Sequence, residues 1–149
     1  MDTTKIIINN ASRIFMGIVI YFFAMKLLGL ENITELRLFN FLIVIWGVNT
    51  AIKQNIEFNK NNLYLSNLSI GFSTAVFAVV AVAFSLIFYI TFLNYDLLHI
   101  MENSRIWGNH LTLERMIFAI LIEGLASSVI CTFIVMQYWK KHKVDSLIS

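Results

Sequence analysis

The sequence predicts an all-α integral membrane protein: a four-helix bundle with both termini in the cytoplasm and a short amphipathic helix on the membrane surface between helices three and four. Three observations carry that expectation. Of 149 residues, 58% are hydrophobic and only 13% are charged, with a mean hydropathy of +0.75, whereas ordinary globular chains carry about 25% charged residues. Apolar runs such as Ile14 to Leu30 and Leu68 to Leu93 are long enough to cross a bilayer as helices, the form that satisfies every peptide group within hydrocarbon. Lysine and arginine then gather unevenly at the segment ends. Lys5, Arg13, Lys53, Lys60, Lys140, Lys141 and Lys143 fall on one side, against Arg37, Arg105 and Arg115, with Lys26 pointing the same way, on the other. By the positive-inside rule the richer side, with both termini, is cytoplasmic. The formal net charge of +2 therefore reports orientation and gives no reason to expect nucleic acid as a partner.

The first helix is expected over about 14–30, between Arg13 and Glu31, with Lys26 near its far end. It reads as a retained signal anchor, because no small-x-small cleavage site follows near Ala24 to Leu30. Asn32 and Glu35 have the spacing of a capping box and open a second helix over about 33–54. That segment holds Asn40, Asn49 and Thr50 and spans only if Arg37 and Lys53 snorkel to the surfaces; a re-entrant or interfacial course is the alternative. Lys53 to Asn62 is polar, asparagine-rich and without apolar period, and reads as a solvent loop. The third helix, about 67–93, carries no charge, and Gly71, Thr74, Ala78, Ala81 and Ser85 recur along it at steps of three and four. One helical face is thereby left small enough for a neighbouring backbone to approach closely. Asn94 to His110 mixes Leu97, Leu98, Met101, Ile106 and Trp107 with charged residues and suits a surface amphipathic helix. The last helix, about 113–139, starts after the candidate N-cap Thr112 and reaches headgroup level at Tyr138 and Trp139. The lysines that follow are a stop-transfer cluster attractive to anionic lipid. Proline is absent, which disfavours transporter designs that bind ions at broken helices.

The most unusual residue is Glu123, the only formally charged one from Met116 to Trp139. A carboxyl group at that depth must be neutralised, paired or turned toward water. It lies eight residues beyond Arg115, about 12 Å into the membrane, while Lys26 lies five residues inside Glu31, about 7.5 Å from the same side. The roughly 4.5 Å between those depths is within reach of a lysine stem. A Lys26 to Glu123 ion pair, or a protonated Glu123 bonded to Asn or Ser, would fasten helix four to the bundle. The sharper alternative is a titratable proton or cation site. Beside it, Gly124 and Ser128 have small-xxx-small spacing, suited to packing within the bundle or between subunits.

Other residue types are less specific. Arg37 and Asn40, one turn apart, would suit a lipid phosphate or a loop carboxylate; the alternative is a snorkelling arginine capped by local groups. His99, His110 and His142 fall outside the apolar runs, which argues against bis-histidine haem, and no ligand spacing indicates a metal. The single cysteine, Cys131, permits no internal disulfide and no thiol-exchange pair. Ser127 and Ser128 lack a base at their depth. Neither an enzyme nor a cofactor is expected.

The order of features, with Lys26-Leu27-Leu28-Gly29 closing helix one, Glu35-Leu36-Arg37 opening helix two, Gly71-Phe72 entering a small-residue helix three and a long final helix, resembles the small four-helix membrane proteins of unknown function widespread in Bacteroidetes (the domain of unknown function numbered 4199). The resemblance covers nearly the whole chain through soft hydropathy and glycine positions, and it implies a bacterial inner-membrane location without an activity. Together these readings lead to a non-enzymatic, multi-pass inner-membrane protein that acts by helix packing. Its partners would be the lipid bilayer and other membrane subunits or copies of itself. The second expectation is a small proton-coupled or cation transporter working as a dimer around Glu123. A lipid- or stress-sensing role is a third.

Overall fold

A computed structural model describes residues 2–30, 38–60, 63–92 and 113–148, with side chains over 114–140 in the last stretch. It is all-helical there: α1 (Thr3–Leu27), α2 (Phe39–Asn59), α3 (Tyr64–Phe92) and α4 (Leu113–Ile148). The expected capping box at Asn32 and Glu35 and the surface helix over Asn94 to His110 lie outside the described residues.

Helix α1 begins eleven residues before the expected boundary at Ile14. Ile6, Asn10, Ala11 and Ile14 are buried at helical spacing, while Lys5, Asn9 and Arg13 stay exposed. The polar N-terminal stretch is thus the first turns of an amphipathic helix, and Arg13 marks an outer face, not an end. Asp2 caps the start by accepting a hydrogen bond from the Thr4 amide at 3.2 Å. At the other end Gly29 adopts φ +66, the left-handed conformation that glycine takes without steric cost. The Gly29 amide then donates to the Lys26 carbonyl at 3.1 Å and the Leu30 amide to the Met25 carbonyl at 3.0 Å, the paired bonds that close a helix C-terminus.

Helix α2 corrects the reading of Lys53 to Asn62 as a solvent loop, since it continues to Asn59 and ends with Lys60 at φ 48. Val44, Gly47, Val48, Ala51, Ile52 and Asn55 form one buried stripe across the supposed boundary. Lys53 and Glu57 make an exposed i,i+4 ion pair of 3.7 Å on the opposite side, worth a few tenths of a kcal/mol, ~0.3–0.5. Helix α3 begins three residues before the expected Asn67. Helix α4 starts at Leu113 as expected but runs past Trp139 to Ile148; its 36 residues measure about 54 Å against a hydrocarbon core of about 30 Å.

Three spans, Thr3–Leu27, Tyr64–Phe92 and Glu114–Lys140, are long and apolar enough to cross a membrane. Large apolar side chains on their outer faces agree with lipid as the solvent: Ile20, Phe84 and Phe118 are 63%, 68% and 66% exposed. α2 has comparable length, but its second half holds Asn49, Thr50, Lys53, Gln54, Asn55 and Glu57, and it is not among the three.

α1 and α4 each pack on both α2 and α3, and α2 packs on α3. Contacts place the start of α1, the end of α2 and the start of α3 together, since Ile6, Ala51 and Ile70 form one cluster. Trp139 of α4 bonds Asn49, the middle residue of α2. The central core joins Ile14, Val48, Ala78 and Cys131 from the four helices, and Ile90, Met116 and Ile120 cap it at the far end.

Glycines set how closely the helices approach. A Cβ on Gly47 would collide with Ile14 of α1, and one on Gly124 with Val79 of α3. Lipid tails are as apolar as leucine, so helix association relies on such close packing. Gly47→Ala and Gly124→Ala are each expected to destabilise the fold by ~1–3 kcal/mol, read as a lowered denaturation midpoint by circular dichroism in detergent. The same kind of enlargement at outward-facing Ala126, Ala126→Val, should leave the midpoint in place.

Candidate functional site

Glu123 occupies the outer face of α4 and is exposed. Its neighbour Gly124 abuts Val79, halfway along α3, so the carboxylate sits near mid-depth in the membrane-crossing spans. Among the described residues it has no hydrogen-bond or ion-pair partner. The adjacent Ser127 hydroxyl donates to the backbone carbonyls of Glu123 and Gly124, at 2.8 and 3.1 Å, and leaves the carboxylate untouched.

The expected Lys26 to Glu123 pair is replaced by a different contact. The Lys26 ammonium donates to the Tyr89 hydroxyl and lies 5.1 Å from the centre of that ring, an arrangement in which a cation and an aromatic face attract. Phe22 and Phe23 pack edge-on against Tyr89, with ring centres 5.6 and 6.5 Å away. Tyr89 is ten residues beyond Val79 on α3, so the Lys26 contact and the Gly124 contact fall at separate points along that helix.

The small residues of α3 divide between two environments. Gly71, Thr74 and Ala78 are buried, and a Cβ on Gly71 would come within 2.9 Å of Ile52, 3.0 Å of Thr132 and 3.1 Å of Val48. Here three helices meet. Ala81 and Ser85, further out, are half-buried. On α4, Gly124 faces α3 and Ser128 is fully buried, so this pair lies at a seam within the chain. The hydroxyls in the seam are satisfied along their own helices: Thr74 donates to Ile70, Ser128 to Gly124 and Thr132 to Ser128, each at 2.7 Å. To a neighbour they present methyl and methylene surface.

A cluster that the sequence reading did not single out lies at the other end. Asn10, Asn55 and Asn67 are buried. The Asn10 amide donates to the Ile6 carbonyl and to Gln54 Oε1, both at 2.8 Å, joining α1 to α2. The Asn55 amide donates to Asn67 Oδ1 at 2.7 Å and accepts from Asn59 at 2.9 Å, joining α2 to α3. Trp139 Nε1 donates to Asn49 Oδ1 at 2.9 Å, joining α2 to α4. The available clue was spacing: Asn10 follows Ile6 by four and Asn59 follows Asn55 by four, a helical repeat hidden inside stretches polar enough to read as loop. Amides are neutral across the working pH range, so this network fixes register and does no proton chemistry.

The remaining candidates are peripheral. Asn40 is half-buried, and its Oδ1 finds no donor among the described residues; Arg37 lies outside them, as do His99, His110 and the side chain of His142. Leu65, Leu68, Ser69, Phe72, Val129, Thr132 and Phe133 line a shallow apolar groove between α3 and α4. It matches a lipid acyl chain in chemistry and does not include Glu123. The chain matches no protein-family model, and comparison with curated proteins and with solved structures returns no match.

The buried amides yield a test of register. Asn67→Leu leaves the Asn55 donor without its acceptor and is expected to cost about 1–3 kcal/mol of stability, whereas Asn55→Leu with Asn67→Leu should recover part of that loss, because apolar groups then replace both partners. Thermal denaturation in detergent, followed by circular dichroism, distinguishes the two.

Proposed function

We propose that the protein is a non-enzymatic, multi-pass membrane subunit that works by helix packing, docking a neighbour through the outer face of α4 around Glu123. One observation carries this reading: a carboxylate near mid-depth, turned outward, with no partner among the described residues. A charged side chain at the centre of a membrane helix costs about 3 kcal/mol. Interhelical polar contacts in lipid return about 1–2 kcal/mol, so a neighbour offering a donor or a cation offsets a large part of that cost, and bare lipid offsets none. The internal seam is already filled by Gly124 against Val79, which leaves the outward face of α4 for an external contact. In this reading the chain is a four-helix bundle with both termini in the cytoplasm, as its lysine and arginine distribution favours. The bacterial inner membrane is the location that the Bacteroidetes resemblance implies.

The same exposed carboxylate also favours a second reading, a proton-coupled or cation transporter in which two copies enclose Glu123. It requires a water-filled path to the carboxylate, and the groove on this side of α4 is apolar and lies away from it.

Purification from native membranes in mild detergent separates the readings. The wild-type chain is expected to elute in stoichiometric assembly, and Glu123→Ala to elute alone with its helical content intact. A wild-type monomer would overturn the docking reading. A proton-linked flux in vesicles that Glu123→Gln abolishes without loss of assembly would put the transporter in its place.

A further inference from the structure

We propose that the groove between α3 and α4 is a phospholipid site, which holds an acyl chain of an anionic lipid while Lys140 meets its phosphate. Glu123 takes no part in this site, which stands whether or not α4 docks a neighbour. The α3 wall of the groove runs from Leu65 to Phe72, about 10 Å along the helix. A volume of about 440 Å³ over that length makes a trough narrower than a helix, which measures about 10 Å or more across with its side chains. The lining is apolar but for Ser69 and Thr132, and the Thr132 hydroxyl is turned back onto the Ser128 carbonyl. A flexible hydrocarbon chain fits that shape and that chemistry.

One end of the trough is cationic. Gly71 abuts Thr132 and Gly124 abuts Val79, so α3 and α4 are antiparallel, and a step forward on one is a step back on the other. In that register Lys140 is level with Leu63, just beyond the Leu65 end of the groove. Val129, Phe133 and Lys140 follow one another at steps of four and seven, which keeps them on one helical face. Lys140 is exposed and, among the described residues, has no hydrogen-bond or ion-pair partner. Neither α3 nor the stretch of α4 from Gly124 to Lys140 contains Asp or Glu, so no carboxylate on either wall competes for that charge.

The mouth also falls at the right level. Tyr64 and Lys140 are the terminal residues of the apolar spans Tyr64–Phe92 and Glu114–Lys140, where hydrocarbon gives way to headgroups. From there the groove continues inward along both helices. The order of cation at the interface and apolar trough beneath it matches the order of phosphate and chain in an anionic phospholipid. Lysine binds phosphate as a point charge, and its stem lies along apolar surface while the ammonium stays at the interface. A partner helix in the groove would need a carboxylate added at that one level to meet Lys140, whereas every anionic phospholipid brings its phosphate there.

The test is native mass spectrometry of the purified full chain released from nanodiscs that hold equal amounts of phosphatidylglycerol and phosphatidylcholine. The wild-type chain is expected to retain phosphatidylglycerol about fivefold over phosphatidylcholine, the effect of one lysine at an anionic surface. Lys140→Gln should abolish that preference with helical content unchanged by circular dichroism. Lys5→Gln, which removes an exposed charge from α1, where Ile6 packs near the start of α3, should keep it. Ser69→Phe, which fills the trough from an exposed position on its wall, should lower retention of both lipids about tenfold. Glycerol phosphate, a headgroup without a chain, should not compete, and Glu123→Gln should leave retention in place. Equal losses in Lys5→Gln and Lys140→Gln would reduce the effect to the charge of that end and overturn the site. So would retention untouched by Ser69→Phe, or competition by glycerol phosphate alone. A protein that copurifies with the wild-type chain and is released by Ser69→Phe would give the groove to a partner helix instead.

Discussion

Close approach of helix backbones is the constraint on which the rest of this molecule depends. In hydrocarbon there is no water to drive apolar faces together, so helices that present large side chains to one another gain little over facing lipid. The chain resolves this with glycine at successive levels. Gly47 admits Ile14, Gly71 brings Ile52, Val48 and Thr132 to one point, and Gly124 admits Val79. Around them Thr74, Ser128 and Thr132 fold their hydroxyls back onto their own carbonyls. Large residues such as Phe84 and Phe118 are left to the outside, where lipid accepts them.

Polar contacts add what this packing lacks, a unique register. Small, smooth faces slide, and an amide that must find its partner does not. Asn10 with Gln54, Asn55 with Asn67, Asn49 with Trp139 and Lys26 with Tyr89 tie α1 to α2, α2 to α3, α2 to α4 and α1 to α3. The α3–α4 seam is held instead by Gly71, Gly124 and the residues they admit. Against that background the Glu123 carboxylate points outward and, among the described residues, takes no part in any such contact. Nothing in the packing of α4 requires a carboxylate there, and the docking proposed for it rests on that.

Much of the architecture was legible in the residues. The absence of charge over α3 and the step of three and four in Gly71, Thr74 and Ala78 reflect local rules of helix period and solvent that hold whatever the neighbours are. The ends of α1 and α2 were not legible. Arg13 and Lys53 look like boundaries when charge is taken to mean water, yet a helix half-covered by its neighbours carries charge on one side while Asn10 or Asn55 is buried on the other.

The sequence by itself determined that the chain is helical, that most of its length is apolar enough for lipid and that Glu123 is an anomaly to be neutralised, paired or turned toward water, because these follow from hydropathy and from the cost of a charge in hydrocarbon. Only the tertiary structure decided what Lys26 meets. Depth measured from loop charges placed Lys26 beside Glu123, whereas Lys26 meets Tyr89 and the Glu123 carboxylate has no partner among the described residues. The relative sliding of packed helices depends on where small residues meet large ones across three dimensions. No one-dimensional count of residues from the membrane surface contains that information.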